Sequence, residues 1–327
     1  DDKTVSVYCG IPFCDTRCVY CSFPFGIYQE YKDKSAFLRA LHLDMKDMKS
    51  IVDEYGLTVD SLYMGGGTPT VLGNEDFHHV LRQLTILVPD GHEFTVEAGR
   101  PDSVTPEKLK TMLSAGVNRI SINPQTMQDD ILRYIGRGHT TQDIDDLLQY
   151  VKVHTPFAVN MDFIAGLPGQ TMEHMIENMD YVCQNLPENV TIHTLALKRG
   201  SPLYDLNMQD RIPHEDVVAE MVQYGKERLE AAGYVPYYLY RQQYMRGQLE
   251  NIGYTLPGKA CRYNIQIMEE RQCILSIGPG SSSKWMRAPA YRQLKQHMPK
   301  NVDAYCDTID ALLEKRHKIC EKFWEVV

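Results

Sequence analysis

Short β-rich runs alternate with longer helical segments through the first two thirds of the chain, and this alternation most constrains the fold. In the first helical segment, which Gly56 closes, apolar residues recur at helical spacing: Phe37, Leu38, Leu41, Met45, Met48 and Val52. Repetition of strand and helix implies parallel strands that are joined by right-handed crossovers. The sequence therefore predicts an α/β fold, a partial (β/α)6 barrel of the TIM type.

Six runs are the candidate strands of this barrel: Val5–Ile11, Ser61–Met64, Glu93–Glu97, Arg119–Asn123, Phe157–Ile164 and Val190–Leu197. Capping residues mark the helix starts between them. Thr105 precedes Pro106, which suits the first helical position, and Thr171 opens a segment with one apolar stripe. A further helix is predicted near His214–Ala232.

The pattern changes after Gly233. A tyrosine-rich segment follows, with Tyr234, Tyr237, Tyr238, Tyr240 and Tyr244. It leads to a Gly/Ser turn at 278–281, and two helical segments end the chain. We therefore predict a barrel over residues 1–232 and a smaller C-terminal α+β region over residues 233–327 that covers the barrel mouth.

Composition and charge limit the classes of function. No run of eighteen apolar residues occurs, which predicts no membrane span. The net charge of −9 disfavours nucleic acid as a partner, because phosphate binding needs a basic surface. Nine cysteines in 327 residues are not a disulfide framework, so we expect a reducing, cytoplasmic location. The chain opens at Asp1 without an initiator Met or a visible signal peptide, and we expect natural residues to precede it.

Three cysteines on the loop after the first candidate strand carry the strongest chemical signal: Cys14, Cys18 and Cys21. Thiolates are the ligands of iron–sulfur clusters, and four of them normally hold a [4Fe–4S] cubane. Three thiolates leave one iron open to bind the amino and carboxylate groups of S-adenosylmethionine (SAM). The spacing therefore predicts a [4Fe–4S] cluster that binds SAM.

Zinc is the alternative ligand of this triad, because structural zinc sites also use cysteine thiolates. Zinc needs four ligands, however, and no Cys or His follows the triad at short spacing; His42 falls within a helical segment. The cluster is therefore favoured. The other cysteines fit no ligand spacing and are predicted to be structural: Cys9, Cys183, Cys261, Cys273, Cys306 and Cys320.

Polar and glycine residues stand at the ends of the next candidate strands. Gly65-Gly66-Gly67-Thr68 ends the second strand, and glycines let a backbone approach a ligand closely with free N–H and C=O groups. The later strands and the helix after the fourth carry Glu97, Asn123, Gln125, Asp162 and Arg137. Because parallel strands end at one mouth, we expect these groups to surround one ligand, although each alone would suit a cap or a surface.

These residues together resemble the radical SAM superfamily and, within it, the oxygen-independent coproporphyrinogen III oxidase (HemN-like) family, the HemZ-like branch most of all. The likeness runs from Tyr8 to about Trp285. It implies a barrel of the radical SAM type, with Cys14, Cys18 and Cys21 as cluster ligands that form the catalytic centre with Tyr8. Members can bind two SAM molecules, so the resemblance implies one or two here.

The resemblance also implies how the SAM residues are divided. Tyr8, Gly66 and Glu97 match residues of the cluster-bound SAM, and the segment Gly278–Ser282 matches one nearby. Residues of the second SAM are matched by Tyr20, Gly67, Thr68, Gln125, Arg137 and Asp162.

The implied reaction is oxidative decarboxylation of coproporphyrinogen III propionates to vinyl groups, with a tetrapyrrole substrate and an electron donor such as flavodoxin or ferredoxin. Propionates are anionic, so cations should line the substrate mouth. The candidates are Lys198, Arg199, Arg241 and Arg262, for which solvated loop charge is the alternative. Tyr237, Tyr238 and Tyr240 are candidates to wall a flat tetrapyrrole, and packing under a lid explains them equally well.

One position departs from the family pattern. Porphyrinogen oxidases of the HemN type commonly carry His two residues after the motif Tyr, where this chain has Gly10. Two alternatives therefore stay open. One is a two-SAM radical methyltransferase or an anaerobic haem-modifying enzyme, and the other is a haem-binding chaperone without oxidase activity.

Overall fold

A computed structural model describes residues 3–22, 26–206, 208–240, 249–287 and 292–324. Its strands are β1 (Thr4–Ile11), β2 (Phe13–Cys14), β3 (Gly26–Ile27), β4 (Thr58–Gly66), β5 (Glu93–Gly99), β6 (Arg119–Ile122), β7 (Ala158–Ala165), β8 (Asn189–Thr194), β9 (Val235–Tyr240), β10 (Asn251–Thr255), β11 (Cys273–Ile277), β12 (Ser282–Arg287) and β13 (Arg292–His297). Its helices are α1 (Lys34–Glu54), α2 (Asn74–Thr85), α3 (Pro106–Ser114), α4 (Asp129–Tyr134), α5 (Thr141–His154), α6 (Met172–Asn185), α7 (Pro202–Asp205), α8 (Glu215–Ala231), α9 (Arg262–Glu269), α10 (Val302–Asp307) and α11 (Ile309–Trp324). Short 3-10 helices span Pro69–Val71 and Pro101–Ser103.

Six parallel strands form the centre of one sheet, in the order β1-β4-β5-β6-β7-β8, with helices between consecutive strands. This sheet curves into an open barrel, because side chains from its two distant edges line the same lumen. Tyr238 and Tyr240 come from β9 at one edge, and Ser282 and Lys284 come from β12 near the other. The predicted α/β partial barrel is confirmed.

The residues after α8 extend both edges of this sheet. At one edge, β10 pairs antiparallel with β8 and β9 pairs with β10. At the other edge, β11 lies parallel to β1, and β12 and β13 follow as antiparallel strands. Helix α9 also contributes side chains to the lumen. The division into domains at residue 232 stays a prediction, since strands from both parts share one sheet.

Local signals identified the helix starts better than the strand ends. The Thr105 hydroxyl caps α3 with Pro106 in the first turn, and Thr171 caps α6, as predicted. The sixth strand ends at Thr194, where its pairing with β7 ends, so its predicted extension to Leu197 is wrong. In the described ranges, no helix combines the length and the apolar character that a transmembrane span requires.

The C-terminal helix α11 is anchored to α1 by a buried ion pair. Arg316 and Asp44 are both fully buried, and the guanidinium donates a 2.6 Å hydrogen bond to the carboxylate. Asp44 also accepts hydrogen bonds from the Tyr305 hydroxyl at 2.6 Å and from the Gly278 N–H at 2.9 Å. The network therefore ties the turn after β11, which leads into the lumen wall, to the three helices α1, α10 and α11 outside the sheet.

Candidate active site

The cysteine loop follows β1 and lies across the carboxyl ends of the barrel strands. It is fastened to the turn after α4, because the Val19 N–H donates to the Ile135 carbonyl at 3.1 Å and the Thr16 hydroxyl donates to the Gly136 carbonyl at 2.8 Å. Gly136 has φ +82°, and a Cβ there would stand 2.9 Å from the carbonyl oxygen of Arg17. The loop is thus held by close backbone contacts.

The thiols of Cys14, Cys18 and Cys21 line one cavity of about 210 Å³. Within the part of the chain that the structure describes, no three His, Cys, Asp or Glu side chains are grouped so that they could hold one metal ion. In a [4Fe–4S] cluster each thiolate binds a different iron, so its ligands surround a volume. Three thiols around a common cavity suit that donor set.

Two arginines and a tyrosine surround the buried Cys18 thiol. Arg100 donates a 3.1 Å hydrogen bond to its sulfur, and Tyr20 and the charge of Arg137 lie near it. Burial acts to raise the pKa of Cys18, but Arg137 and Arg100 outweigh burial and lower the pKa below its ordinary value. At Cys14 burial prevails and raises the pKa, although the Thr68 hydroxyl donates to this sulfur at 3.4 Å.

The glycines at the end of β4 allow close contact with the cysteine loop. A Cβ on Gly67 would stand 2.3 Å from the carbonyl oxygen of Phe13, and Gly66 has φ +107°. The Gly67 and Thr68 N–H groups donate to the carbonyls of Ile11 and Phe13 at 2.8 and 2.7 Å. The expectation that these N–H groups would be free for a ligand is therefore wrong, since the cysteine loop uses them.

Three residues that line the same cavity carry buried polar atoms without partners in the described ranges. Among the described residues, Asn123 Oδ1, Gln125 Oε1 and Arg137 Nε are buried without a hydrogen-bond partner, and all three residues line the cavity with the cysteines. Gln125 also has φ 68°, an uncommon conformation for a residue other than glycine. Unsatisfied donors and acceptors in one cavity indicate a polar ligand, and the amino and carboxylate groups of SAM fit them.

The barrel lumen holds a second cavity, of about 520 Å³, beside the first. Three tyrosine rings cluster there: Tyr63 stacks on Tyr263 at a ring-centroid distance of 4.6 Å, and Tyr8 stands 6.3 and 6.2 Å from these two rings. The Tyr63 hydroxyl donates to Glu97 Oε1 at 2.6 Å, and the Gly66 N–H donates to Oε2 at 3.2 Å. Burial, with the Asp162 charge nearby, raises the pKa of Glu97 to about 7. Glu97 lines both cavities and therefore connects them.

Asp162 lines the lumen cavity and not the cysteine cavity, where Gln125 and Arg137 lie. Its carboxylate accepts a 2.8 Å hydrogen bond from Asn160 and stands 3.6 Å from His193 Nε2. Burial acts to raise the pKa of Asp162, but His193 and Asn160 outweigh burial and lower it. Of the six residues matched to a second SAM, the structure thus brings five together and separates Asp162.

A third cavity, of about 310 Å³, adjoins both others. It shares Tyr20, Cys21 and Gln125 with the cysteine cavity, and His193 with the lumen. Lys198 is half-buried in its wall. Burial lowers the pKa of the Lys198 ammonium group. Within the described residues this group interacts electrostatically with the Cys21 thiol and makes no hydrogen bond or ion pair.

The other predicted substrate cations lie elsewhere. Arg262 begins α9 at the amino end of β5, where it pairs with Asp60, so it stands opposite the cysteine loop. Arg199 is exposed on the loop after β8. Arg241 and Tyr244 lie outside the described residues. Of the tyrosines, Tyr238 and Tyr240 line the lumen, as a tetrapyrrole wall would.

Gly10 is packed against the turn after β11. The backbone comes so close that a Cβ on Gly278 would stand 2.3 Å from the Gly10 carbonyl oxygen. A Cβ on Gly10 itself would stand 3.2 Å from the Tyr8 ring and 3.6 Å from the Pro279 carbonyl. A side chain at Gly10, the position that carries His in HemN-type enzymes, would therefore be in tight contact with the Tyr8 ring.

Sequence reasoning missed Arg100 and His193. Arg100 follows Glu97 by three residues at the end of β5, and His193 precedes the end of β8 by one residue. Both positions have the strand-end signal that identified Glu97 and Gln125. Tyr263 was missed for another reason, because α9 reaches the lumen only through the chain path of the C-terminal region.

Comparison with known proteins agrees with this geometry. The radical SAM superfamily profile matches residues 8–182. The chain is 36% identical over 325 residues to the oxygen-independent coproporphyrinogen-III oxidase-like protein HemZ of Bacillus subtilis. This alignment covers 98% of this chain and 65% of that protein. It is 30% identical to the heme chaperone HemW of Lactococcus lactis, with 98% of this chain and 81% of that protein covered.

The solved structure of coproporphyrinogen III oxidase (HemN) from Escherichia coli shares the fold, with a TM-score of 0.69 at 18% identity over 99% of this chain and 79% of that one. The chain belongs to the radical SAM superfamily. Within the superfamily it is a member of the family of HemN, HemZ and HemW. It spans about 65% of the HemZ relative and about 60% of a second relative, HemW of Bacillus subtilis.

Proposed function

We propose that this protein cleaves SAM reductively at a [4Fe–4S] cluster and oxidatively decarboxylates propionate side chains of coproporphyrinogen III. The observation that carries the proposal is the cavity lined by three thiols, which adjoins a cavity whose Lys198 ammonium group has no hydrogen bond or ion pair among the described residues. When bound, the cluster and SAM would supply the one-electron chemistry that removes a hydrogen atom from the propionate β-carbon. Loss of CO2 and of one electron, to an acceptor, leaves the vinyl group.

The residues around the thiols would hold SAM. Cys14, Cys18 and Cys21 would bind three irons and leave the fourth to the amino acid end of SAM. Gln125 Oε1 and Arg137 Nε offer an acceptor and a donor that are buried without partners, which suits an amino group and a carboxylate. One SAM molecule would account for these atoms. The family resemblance matches Gln125 and Arg137 to a second SAM, so a second molecule remains part of the proposal.

Lys198 is the proposed anchor of a substrate propionate. Its ammonium group is half-buried in the cavity that includes Cys21, so an anion bound there would lie beside the cluster. A partly desolvated cation without an ion-pair partner gains more from an anionic ligand than one that is exposed and screened. His193 lines the same cavity and would add a second polar contact. This arrangement supports an anionic substrate class.

The electron donor and the cellular compartment also belong to the proposal. An electron donor such as flavodoxin or ferredoxin would reduce the cluster. All nine cysteines, which lie in the described ranges, are free thiols, and this supports a reducing compartment such as the cytoplasm.

The test is anaerobic incubation with SAM, dithionite and coproporphyrinogen III, followed by mass spectrometry. We expect deoxyadenosine and a product that has lost two carboxyl groups, and Cys18→Ser should abolish both. Deoxyadenosine without an altered porphyrinogen would reject the substrate and keep SAM cleavage. Absence of both from protein with a full iron content would reject the enzyme.

The substrate anchor has its own test. Lys198→Met should raise the substrate KM at least about tenfold, the effect of losing about 1.4 kcal/mol of binding, while SAM cleavage without substrate persists. Lys110→Met, on the exposed face of α3, is the matched control and should leave both unchanged. An unchanged KM in Lys198→Met would remove Lys198 from the proposal.

A second candidate function is a haem chaperone. The observation that favours it is the 30% identity to HemW of Lactococcus lactis across 98% of this chain. Tyr238 and Tyr240, stacked at 6.3 Å in the lumen wall, offer aromatic surface to a flat macrocycle. Anaerobic addition of haem distinguishes the two functions: a stable haem spectrum without porphyrinogen turnover favours the chaperone.

A further inference from the structure

Arg100 is a buried arginine to which neither the strand-end analysis nor the family resemblance assigned a role. It directly follows β5 and is 3% exposed. Its side chain lines the cavity with the three cysteine thiols. An arginine is costly to bury unless its charge and its donors are used, so its position calls for a function.

The contacts of Arg100 fix its guanidinium against one cluster ligand. Nη2 donates to Cys18 Sγ at 3.1 Å, and Nη1 donates to Thr16 Oγ1 at 2.6 Å. The Arg100 carbonyl accepts hydrogen bonds from the Ser103 N–H at 3.2 Å and the Ser103 hydroxyl at 3.0 Å. Both ends of the residue are therefore held, and the side chain points its charge at the Cys18 sulfur.

We infer that Arg100 is a positioning residue that acts through Cys18 to raise the reduction potential of the cluster. The inference rests on the proposed function, because it needs a cluster bound at Cys18. Hydrogen bonds to ligand sulfurs and the net charge around a cluster set its potential. A cation held 3.1 Å from a ligand thiolate, away from water, favours the state that carries the additional electron.

Two other arginines near the thiols differ in what they contact. Arg17 is exposed and donates to the Gly200 carbonyl, so solvent screens its charge. Arg137 divides its donors between the Asn123 carbonyl and the Tyr20 hydroxyl, and the family resemblance gives it a role in SAM binding. Arg100 thus differs from both, since it is buried and bonds the sulfur without a SAM role.

The test compares reduction potentials of anaerobically reconstituted wild type, Arg100→Gln, Arg100→Lys and the control Arg17→Gln. Iron content and cluster absorbance are measured first, and the potential is then followed by EPR during a redox titration without SAM. At the wild-type midpoint, we expect the ratio of reduced to oxidised cluster in Arg100→Gln to fall about tenfold, which is about 59 mV for one electron. Arg100→Lys keeps the charge but not both hydrogen bonds, so a smaller fall is expected, and Arg17→Gln should stay near wild type.

The outcomes separate this inference from the proposed function. Wild type without iron–sulfur absorbance would end the cluster assignment itself. Wild type with a cluster, but with an unchanged potential in either iron-loaded Arg100 variant, would overturn the role of Arg100 alone. If Arg100→Gln loses its iron, Arg100→Lys decides. A fall in Arg17→Gln as large as that in the Arg100 variants would also overturn the inference, because any nearby charge would then suffice.

Discussion

Glutamine at position 97 should change how the stability of the folded protein depends on pH. Burial, with Asp162 nearby, raises the pKa of Glu97 from 4.5 to about 7. The folded protein therefore keeps a proton that the unfolded chain releases, and stability is lost as the pH rises from 4.5 to about 7. The full shift corresponds to about 3 kcal/mol, of which about 2.5 kcal/mol develops between pH 5 and pH 8.

The assay is urea unfolding of the cluster-free protein with reduced thiols at pH 5 and pH 8. Other groups titrate in this range, so the informative quantity is the difference in free energy of unfolding between Glu97→Gln and wild type. We expect this difference to shift in favour of the variant by about 2.5 kcal/mol between the two pH values. Glu75→Gln, an exposed control in the first turn of α2, should show no such shift. A difference constant within about 0.5 kcal/mol for Glu97→Gln would refute the reasoning.

Two further substitutions test the packing around the site. Gly67→Ala should destabilise the protein by about 1–3 kcal/mol and lower iron incorporation, because the added Cβ would stand 2.3 Å from the Phe13 carbonyl oxygen. The control is Gly73→Ala, whose Cβ would meet nothing within 4 Å. Equal losses of stability in urea unfolding of the two variants would contradict the prediction. Arg316→Ala should cost about 3–5 kcal/mol, because it leaves the Asp44 carboxylate buried without its cation. The exposed neighbour Lys315→Ala should change the unfolding midpoint little, and a similar loss in both variants would argue against the buried ion pair.

The local parts of the fold could be predicted because their causes are local. Apolar residues at helical spacing identified α1, and hydroxyl caps identified the starts of α3 and α6. The alternation of strand and helix then implied a parallel barrel, since parallel neighbours need a crossover connection and a helix usually supplies it. The C-terminal region was predicted to be α+β, but the positions of β9 to β13 were not, because the segments after Gly233 become strands by pairing with distant edges of the sheet.

In the candidate site, too, some residues could be predicted from the sequence and others could not. Convergence of strand ends predicted that Glu97, Gln125 and Arg137 would lie near the cysteines, and all three line the cysteine cavity. Asp162 was grouped with them, yet it lines the lumen cavity. Successive side chains of a strand point to opposite faces, and the sequence did not show which face Asp162 would take.

The sequence by itself determined the chemistry of this protein: three thiols at fixed spacing, glycines at the next strand end and a barrel to hold them. Only the tertiary structure decided that the guanidinium of Arg100 meets the sulfur of Cys18, and that Lys198 lines a cavity beside Cys21. Spacing within one strand or loop relates only groups that are close in sequence. Contacts between residues more than eighty positions apart depend on how the sheet curves and how its loops pack, and no local pattern encodes that.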